Sequence, residues 1–549
     1  MVNITVNNET VQLHDNSKVK ELIRLGSQSA CICGALVDNV IKSLEYVLKE
    51  GQHVRLIDIS EEAGYRIYES TLLLILEYAA HALFPSRQIE ICYSLGGGIF
   101  CRFADCQVAT ADEVSCIKDK MQEIISSDLP ILKVKLSVKD AQSFLNAHES
   151  ITSSSLFDYC HFDKITLYNL NGFYGYYHTK TLSRTGEVPG FGLTCLEPGF
   201  VLLGVDPKNP SQTKKLSKQE NIHQELQRYK NWCEKLDVSD ATSLNRKIEG
   251  GEITNLITIA EARHEQLISK MAEKIAGARG EKRIVLISGP SCSGKTTTSK
   301  RLRNHLVALG LNPVAISLDD YFVDRSRTPV DENGQPDFES IEALDIDLFN
   351  ANLIALLEGE RVPIPRFNFI EGVREENCRH LQLEKGSPVI IEGIHGLNER
   401  LTPQIPKENK YKIYVNDLTH LNIDESNRIP SSDMRLLRRI VRDRVQRGHD
   451  ALATIAMWQS VKKGEEKYIY PYSSEADFVF NSSLLYEIGV LKKYAEEPLF
   501  AINRDSSYIH EAQRLLDYLS FFLKIEDESA IYTNSILREF IGGNVYERL

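Results

Sequence analysis

Residues 284–298 read IVLISGPSCSGKTTT, an unbroken apolar run followed at once by G-x-x-x-x-G-K-[ST]. No other stretch restricts the fold so tightly. A strand that is apolar on both faces has to be covered on both, which is the condition of a parallel strand inside a sheet. The glycine loop behind it calls for a helix, because loop N–H groups and a helix N-terminus act together on an anion. The same grammar recurs downstream in PVAISLDD, PVIIEGIHG, YKIYVND and DFVFNSS, with helical stretches between them. Such alternation predicts a mostly parallel sheet covered by helices, with its ligands at the carboxyl ends of the strands.

The loop specifies its ligand class. Gly289 and Gly294 let the backbone of Gly289, Pro290, Ser291, Cys292, Ser293 and Gly294 curl so that N–H groups meet phosphate oxygens. Lys295 brings a point charge to the β- and γ-phosphates, Thr296 offers a hydroxyl to Mg2+, and Thr297 continues into the helix. These nine residues are the expected binding set for ATP, with Mg2+ as cofactor.

Phosphate loops serve motors, switches and kinases alike, so the acceptor side has to be found elsewhere. AISLDDYF ends in Asp319 and Asp320, where a strand delivers side chains to the active edge. A carboxylate there can take the proton of a weakly nucleophilic hydroxyl. PVIIEG puts Glu392 at the end of another buried strand, where it can order Mg2+. SSDMRLLRRIVRDRVQRG carries Arg435, Arg438, Arg439 and Arg442 at helical spacing. With Leu436, Leu437, Ile440 and Val441 packing one side, the arginine side is expected to stay free to close on transferred phosphate.

In order and spacing, GPSCSGKTT, SLDDYFVDR, PDFESIEALD, PRFNFIEGVR, VIIEGIHGLN and DMRLLRRIVRDRVQRG resemble the uridine kinase and phosphoribulokinase family over roughly residues 283 to 485. The resemblance implies that Asp319 is the general base and that Lys295, Arg435 and Arg438 complete the catalytic set. It places Asp320, Tyr321, Asp337, Glu339, Phe367 and Arg374 on the acceptor side. The implied reaction moves the γ-phosphate of ATP to a sugar hydroxyl, by default the 5′-OH of uridine or cytidine, as in pyrimidine salvage. One block departs from the pattern. Pyrimidine-specific members carry a tyrosine where Phe367 stands and a histidine where Gly372 stands, and losing both polar groups predicts weaker discrimination among bases.

A chain of 549 residues exceeds one core, so roughly two to four domains are expected. A net charge of -12 argues against a protein that coats nucleic acid non-specifically. Eleven cysteines without a C-x-x-C pair suit a reducing cytoplasm better than secretion, and Cys92, Cys101, Cys106 and Cys116 read as ordinary thiols rather than a zinc site. The opening MVNITVNNETVQLHD lacks a basic start and apolar run, so no secretory signal is expected. TLLLILEYAAHALF, residues 71 to 84, is too short for a membrane span and carries Glu77 and His81, so it reads as a buried helix.

Four segments are expected: 1–60, 61–210, a helical linker over 211–280, and the kinase-like region 281–549. ITVNNETVQLHDNSKVKELI and GALVDNVIKSLEYVLKEGQHVRLID resemble the TGS domain, a β-grasp module of threonyl-tRNA synthetases and some GTPases. Residues 61 to about 205 resemble the editing domain (the second additional domain) that follows it in those synthetases. The fold class implied is multidomain: an α+β β-grasp, an α+β editing-like domain, and a P-loop kinase. The paired histidines of that editing site align near Ser70 and Leu74, and no C-x-x-x-H pair follows in NGFYGYYHTKTLSRTG, so its zinc chemistry is not expected. Lys18, Lys20, Arg24, Lys42, Lys49 and Arg55 in the first 60 residues are balanced by acids, which leaves at most a regulatory RNA contact.

The expectation is therefore a cytoplasmic, ATP-dependent nucleoside kinase, with no membrane partner, able to form homo-oligomers, whose first half regulates or scaffolds. An RNA-associated NTP-driven factor and a phosphoribulokinase-like sugar-phosphate kinase are the alternatives. A fragment starting near Thr213 is expected to keep the phosphotransferase fold.

Overall fold

The computed structural model describes residues 1–6, 9–23, 31–148, 152–160, 162–278, 283–330, 334–368 and 371–548. Arg24 and the last residues of the PRFNFI run lie outside them.

The N-terminal strands Val2–Val6 and Glu9–Leu13 pair antiparallel, and Val2–Val6 also pairs parallel with His53–Asp58. Ile32–Val37 and Val40–Lys42 complete a five-stranded mixed sheet. Their two-residue connection is Asp38–Asn39, with φ of 50° and 61°, the left-handed pair a tight hairpin turn needs. The short helix Val19–Ile23 closes the core against Ile4, Val37 and Val54.

Helix Glu62–Leu83 contains the apolar run and is buried along most of its length, with Leu72, Leu74, Ile75 and Leu76 almost fully excluded from water. It contributes to the core of a four-stranded sheet ordered Gly192–Leu196, Gly199–Leu203, Gly98–Phe103, Ile89–Leu95 and of a three-stranded one built from Ile131–Ser137, Lys164–Leu170 and Phe173–Tyr176. Ser70 and Leu74 are buried, and the His81 ring lies 5.4 Å from that of Phe173.

The expected linker is not one. Residues 205–213 form a small hairpin, and helices Glu220–Lys235, Ala241–Glu249 and Ile253–Gly277 share one core with the parallel sheet. Ile253–Gly277 packs on the helix after the phosphate loop, where Glu265 accepts from Arg301 at 2.9 Å and meets His305 at 2.7 Å. Tyr486 donates to the buried Glu261 at 2.6 Å. An amphipathic helix shows the same periodicity whether its partner is near or far in sequence. Only the packing assigns these three to the kinase-like body.

That body is a five-stranded sheet, every pair parallel, ordered Val314–Ser317, Val389–Glu392, Ile284–Ser288, Lys410–Asn416, Phe478–Asn481. A long antiparallel hairpin, Arg361–Asn368 and Val373–Gln382, stands beside it. Leu418–Asn427, between the fourth strand and the arginine helix Ser431–Arg442, is buried against the N-terminal half. Asn422 donates to Ile91 O at 3.0 Å, Asn427 donates to Tyr176 O at 3.0 Å, and Asn427 Oδ1 accepts from the His178 N–H at 2.8 Å. Arg66 of the long apolar helix reaches Asp433 at 3.8 Å and Glu511 at 2.6 Å, and Arg514 donates to Asp433 at 3.1 Å. No helix among the described residues is long and apolar enough to cross a membrane.

Candidate active site

The Ile284–Ser288 strand, central in the sheet, runs directly into the phosphate loop. Gly289 admits no side chain, since a Cβ there would lie 1.9 Å from Val415 O. Gly294, at φ +86°, is the N-cap of helix Lys295–Ala308, whose first closed turn is the Thr298 N–H to Gly294 O bond at 3.0 Å. The N–H groups ahead of that bond have no partner within the helix, which is the condition for holding an anion. Lys295 Nζ folds back on its own loop, donating to Gly289 O at 2.9 Å and Pro290 O at 3.0 Å. Thr296 is exposed at the loop mouth.

Asp319 and Asp320 lie on a single tight turn, Leu318–Tyr321, at the end of strand Val314–Ser317. With about three residues per turn, Leu318 and Tyr321 point into the core and the two aspartates point out. Asp319 is at the solvent-facing edge, beside Lys295. Loss of water in the surrounding walls raises its carboxyl above the ordinary range, the charge of Lys295 pulls it back, and that of Asp320 adds to the rise. Glu392 pairs in register with Ser317 and accepts from its hydroxyl at 2.8 Å. Its carboxyl is pushed up to about 7, by desolvation first and the Asp319 charge second. Glu339 joins them, also pushed up to about 7 by desolvation and then by Glu465.

The Asp319 charge helps to raise Glu392, and the Lys295 charge opposes that of both. Thr296 and Glu392 are the residues that would hold Mg2+ there.

Several expected roles need correction. Arg435 and Arg438 are not free lid residues, because both are fully buried. Arg435 donates to Glu465 Oε2 at 2.8 Å and Ser291 O at 3.0 Å; Arg438 donates to Glu487 at 2.7 Å and Cys292 O at 3.2 Å. They brace the phosphate loop from behind. The arginines whose charge reaches Asp319 are Arg447 and Arg442, and Arg439 donates to Ser291 Oγ at 3.2 Å. The three share Asp443 on a π-helical turn that ends the arginine helix.

Tyr321 is a core residue, its ring edge-on to Phe349 and its hydroxyl accepting from Asn352 at 3.1 Å. Arg374 is committed to Asp345 at 2.9 Å and Glu376 at 2.7 Å. Asp337 accepts from Tyr468 at 2.8 Å. Phe367 is buried, with its ring 5.7 Å from Phe322 and its backbone N–H directed to Asp320. Asp320 also pairs with Arg379 at 3.3 Å.

The sequence model of the Phosphoribulokinase / Uridine kinase family matches residues 284–485. This segment is a domain of that family. Uridine kinase of Halobacterium salinarum is 28% identical to it over 194 residues, covering 35% of this chain and 77% of the relative. Uridine kinase of Staphylococcus haemolyticus is 29% identical over 201 residues, covering 36% and 86%. The solved structure of a possible uridine kinase from Bacillus stearothermophilus covers 40% of this chain and 99% of its own, at 17% identity and a TM-score of 0.28. The family domain ends before the last two long helices, Glu487–Phe500 and Ile509–Ser520, and takes in none of the first 283 residues. Glu465 and Arg447 fall within it and have no role in the sequence reading, whereas Arg439 and Arg442 are expected there to close on phosphate together with Arg435 and Arg438. The arginines were visible as a charged run, but which of them faced the cleft was not.

Proposed function

We propose that the chain is an ATP-dependent phosphotransferase that moves the γ-phosphate to a hydroxyl of a nucleoside or a similarly sized small molecule. The observation that carries this reading is the position of Asp319 at the end of a strand two places from the one that feeds the phosphate loop, within reach of the Lys295 charge. A nucleotide switch has no use for a proton acceptor there; a kinase does.

In the reaction, the acceptor oxygen attacks the γ-phosphorus and its proton passes to an Asp319 carboxylate oxygen. The bond from γ-phosphorus to the bridging oxygen breaks, and ADP leaves with the electron pair. Lys295, Arg439, Arg442 and Arg447 offset the charge on the transferred group, while Arg435 and Arg438 hold the loop that positions it. Bound Mg2+ would neutralise phosphate charge at Thr296 and Glu392. The N-terminal half, joined to the arginine helix through Arg66 and Asp433, is read as a regulatory TGS-like and editing-like portion.

The test is a screen of Mg·ATP against nucleosides, phosphosugars and small alcohols, scored by phosphorylated product. Product from a nucleoside supports the reading. ATP hydrolysis that no acceptor accelerates, with no phosphorylated product, sinks it.

A further inference from the structure

The chain beyond the family domain returns to the phosphate loop. Ile531, Ile536, Leu537, Phe540 and Ile541 are buried in the same core as the parallel sheet. Ile536 packs against the loop so closely that its Cγ2 lies 2.6 Å from the position a Cβ on Gly294 would take. Three residues further on, Glu539 Oε2 accepts from the Thr297 N–H at 3.1 Å and from the Thr297 hydroxyl at 2.6 Å. Asn544 donates to the same hydroxyl oxygen at 3.3 Å.

Thr297 is the third residue of the loop helix, so its N–H is one of the donors the helix leaves open for an anion. Here that donor and the adjacent hydroxyl are both taken by a carboxylate of the chain itself. The loop is engaged a second time on its other limb, where Glu465 accepts from the Ser291 N–H at 3.0 Å. That contact is locked by Arg435, whereas Glu539 has no arginine or lysine among its hydrogen-bond or ion-pair partners in the described residues. The segment is also tied to the arginine side of the cleft: Gln446, on the turn that carries Arg447, donates to Glu539 O at 2.8 Å.

Resting on the phosphotransferase reading, we propose that Glu539 is an internal occupant of the nucleotide phosphate site. The Glu539 side chain is a gate, and nucleotide gains Thr297 only when its carboxylate withdraws. Two anions cannot share one N–H and one hydroxyl, so the side chain competes directly with a phosphate oxygen. The surrounding Ile536, Leu537 and Phe540 stay packed, and rotation of the Glu539 side chain alone clears the donors. The link through Gln446 makes that rotation sensitive to the arginine turn.

The test is calorimetric titration of Mg·ATP into the full chain, comparing wild type with Glu539→Gln and Glu539→Asp, and using Lys295→Ala as a control for site occupancy. Glutamine keeps an acceptor for Thr297 and removes the charge, so Kd is expected to fall about tenfold or more. Aspartate draws the charge back by one methylene and is expected to shift Kd the same way by less. If the glutamine chain fails to fold, the aspartate chain decides. Kd in the variants equal to or weaker than wild type, with binding still abolished by Lys295→Ala, overturns the gate and leaves the phosphotransferase reading intact. No binding by wild type or either variant overturns both.

Discussion

Glu465 ties Arg435 to the phosphate loop: its Oε1 accepts from the Ser291 N–H at 3.0 Å while its Oε2 accepts from Arg435 Nη2 at 2.8 Å. Both side chains are 1% exposed, so neither charge has water to fall back on. Arg435→Ala should therefore leave a buried carboxylate unpaired and cost about 3–5 kcal/mol of stability. Arg439→Ala, at the cleft edge, should leave the melting temperature nearly unchanged and lower turnover. Thermal denaturation and initial rates on the two variants check this. A stable, slow Arg435→Ala would return that residue to direct catalysis.

Asp319→Asn removes proton acceptance and little else. Turnover should fall by on the order of 10²–10⁴, with the Kd for Mg·ATP unchanged within a few fold. Lys295→Ala should lose turnover to at least the same degree, together with nucleotide binding. Near-normal kcat in Asp319→Asn would move the base role to Asp320.

The raised carboxyls set a pH dependence with a definite sign. Glu392 sits at about 7 in the folded chain, above its unfolded value, so between roughly pH 4.5 and 7 the folded state binds the extra proton. Stability from this group is present at low pH and is lost as pH rises through 7. Glu392→Gln cannot lose it. The melting temperature of Glu392→Gln relative to wild type should rise steadily from pH 5 to pH 8 in the absence of nucleotide. A difference that stays flat across that range contradicts the desolvated carboxyl.

The buried connection between the halves reverses the expectation for a fragment beginning near Thr213. Such a fragment would strand Asn422 and Asn427 without Ile91 O, Tyr176 O and the His178 N–H, and expose the residues around them. Water would replace those bonds, but Leu397, Tyr414 and Leu418 would lose the cover of Tyr93, Leu95, Phe100 and Val201, so the fragment should be insoluble or unfolded. Inside the intact interface each stranded buried group costs about 1–3 kcal/mol. Asn427→Ala in the full chain should destabilise by a similar amount per lost bond. A folded, active fragment, detected by circular dichroism and product formation, would show the interface to be dispensable.

Acceptor selectivity should be modest. Phe367 offers no polar group to a base, and Gly372 cannot be exchanged for the histidine of pyrimidine-specific relatives. Its φ is +71°, and a Cβ would meet the Arg325 side chain at 2.4 Å. Uridine should be preferred over purine nucleosides or small alcohols by well under about 10⁴ in kcat/KM. A larger measured ratio would show that other side chains read the base.

What the sequence determined by itself is local. The apolar run IVLIS, the glycines of the loop and the other four apolar runs define five parallel strands and one phosphate-binding turn, because strand burial and backbone curvature depend on adjacent residues. Asp319 and Glu392 follow for the same reason, as the residues at strand ends. The tertiary structure alone decided which arginines face the cleft. Arg435, Arg438, Arg439 and Arg442 all sit at helical spacing, and only the packing of Glu465 and Glu487 draws the first two inward. It also turned Tyr321 into the core, made the 220–277 helices part of the kinase body, and brought Glu465 and Glu539 onto the loop from 174 and 242 residues away. Charge pairing and side-chain burial across such separations depend on the path of the whole chain, which no periodicity within a segment encodes.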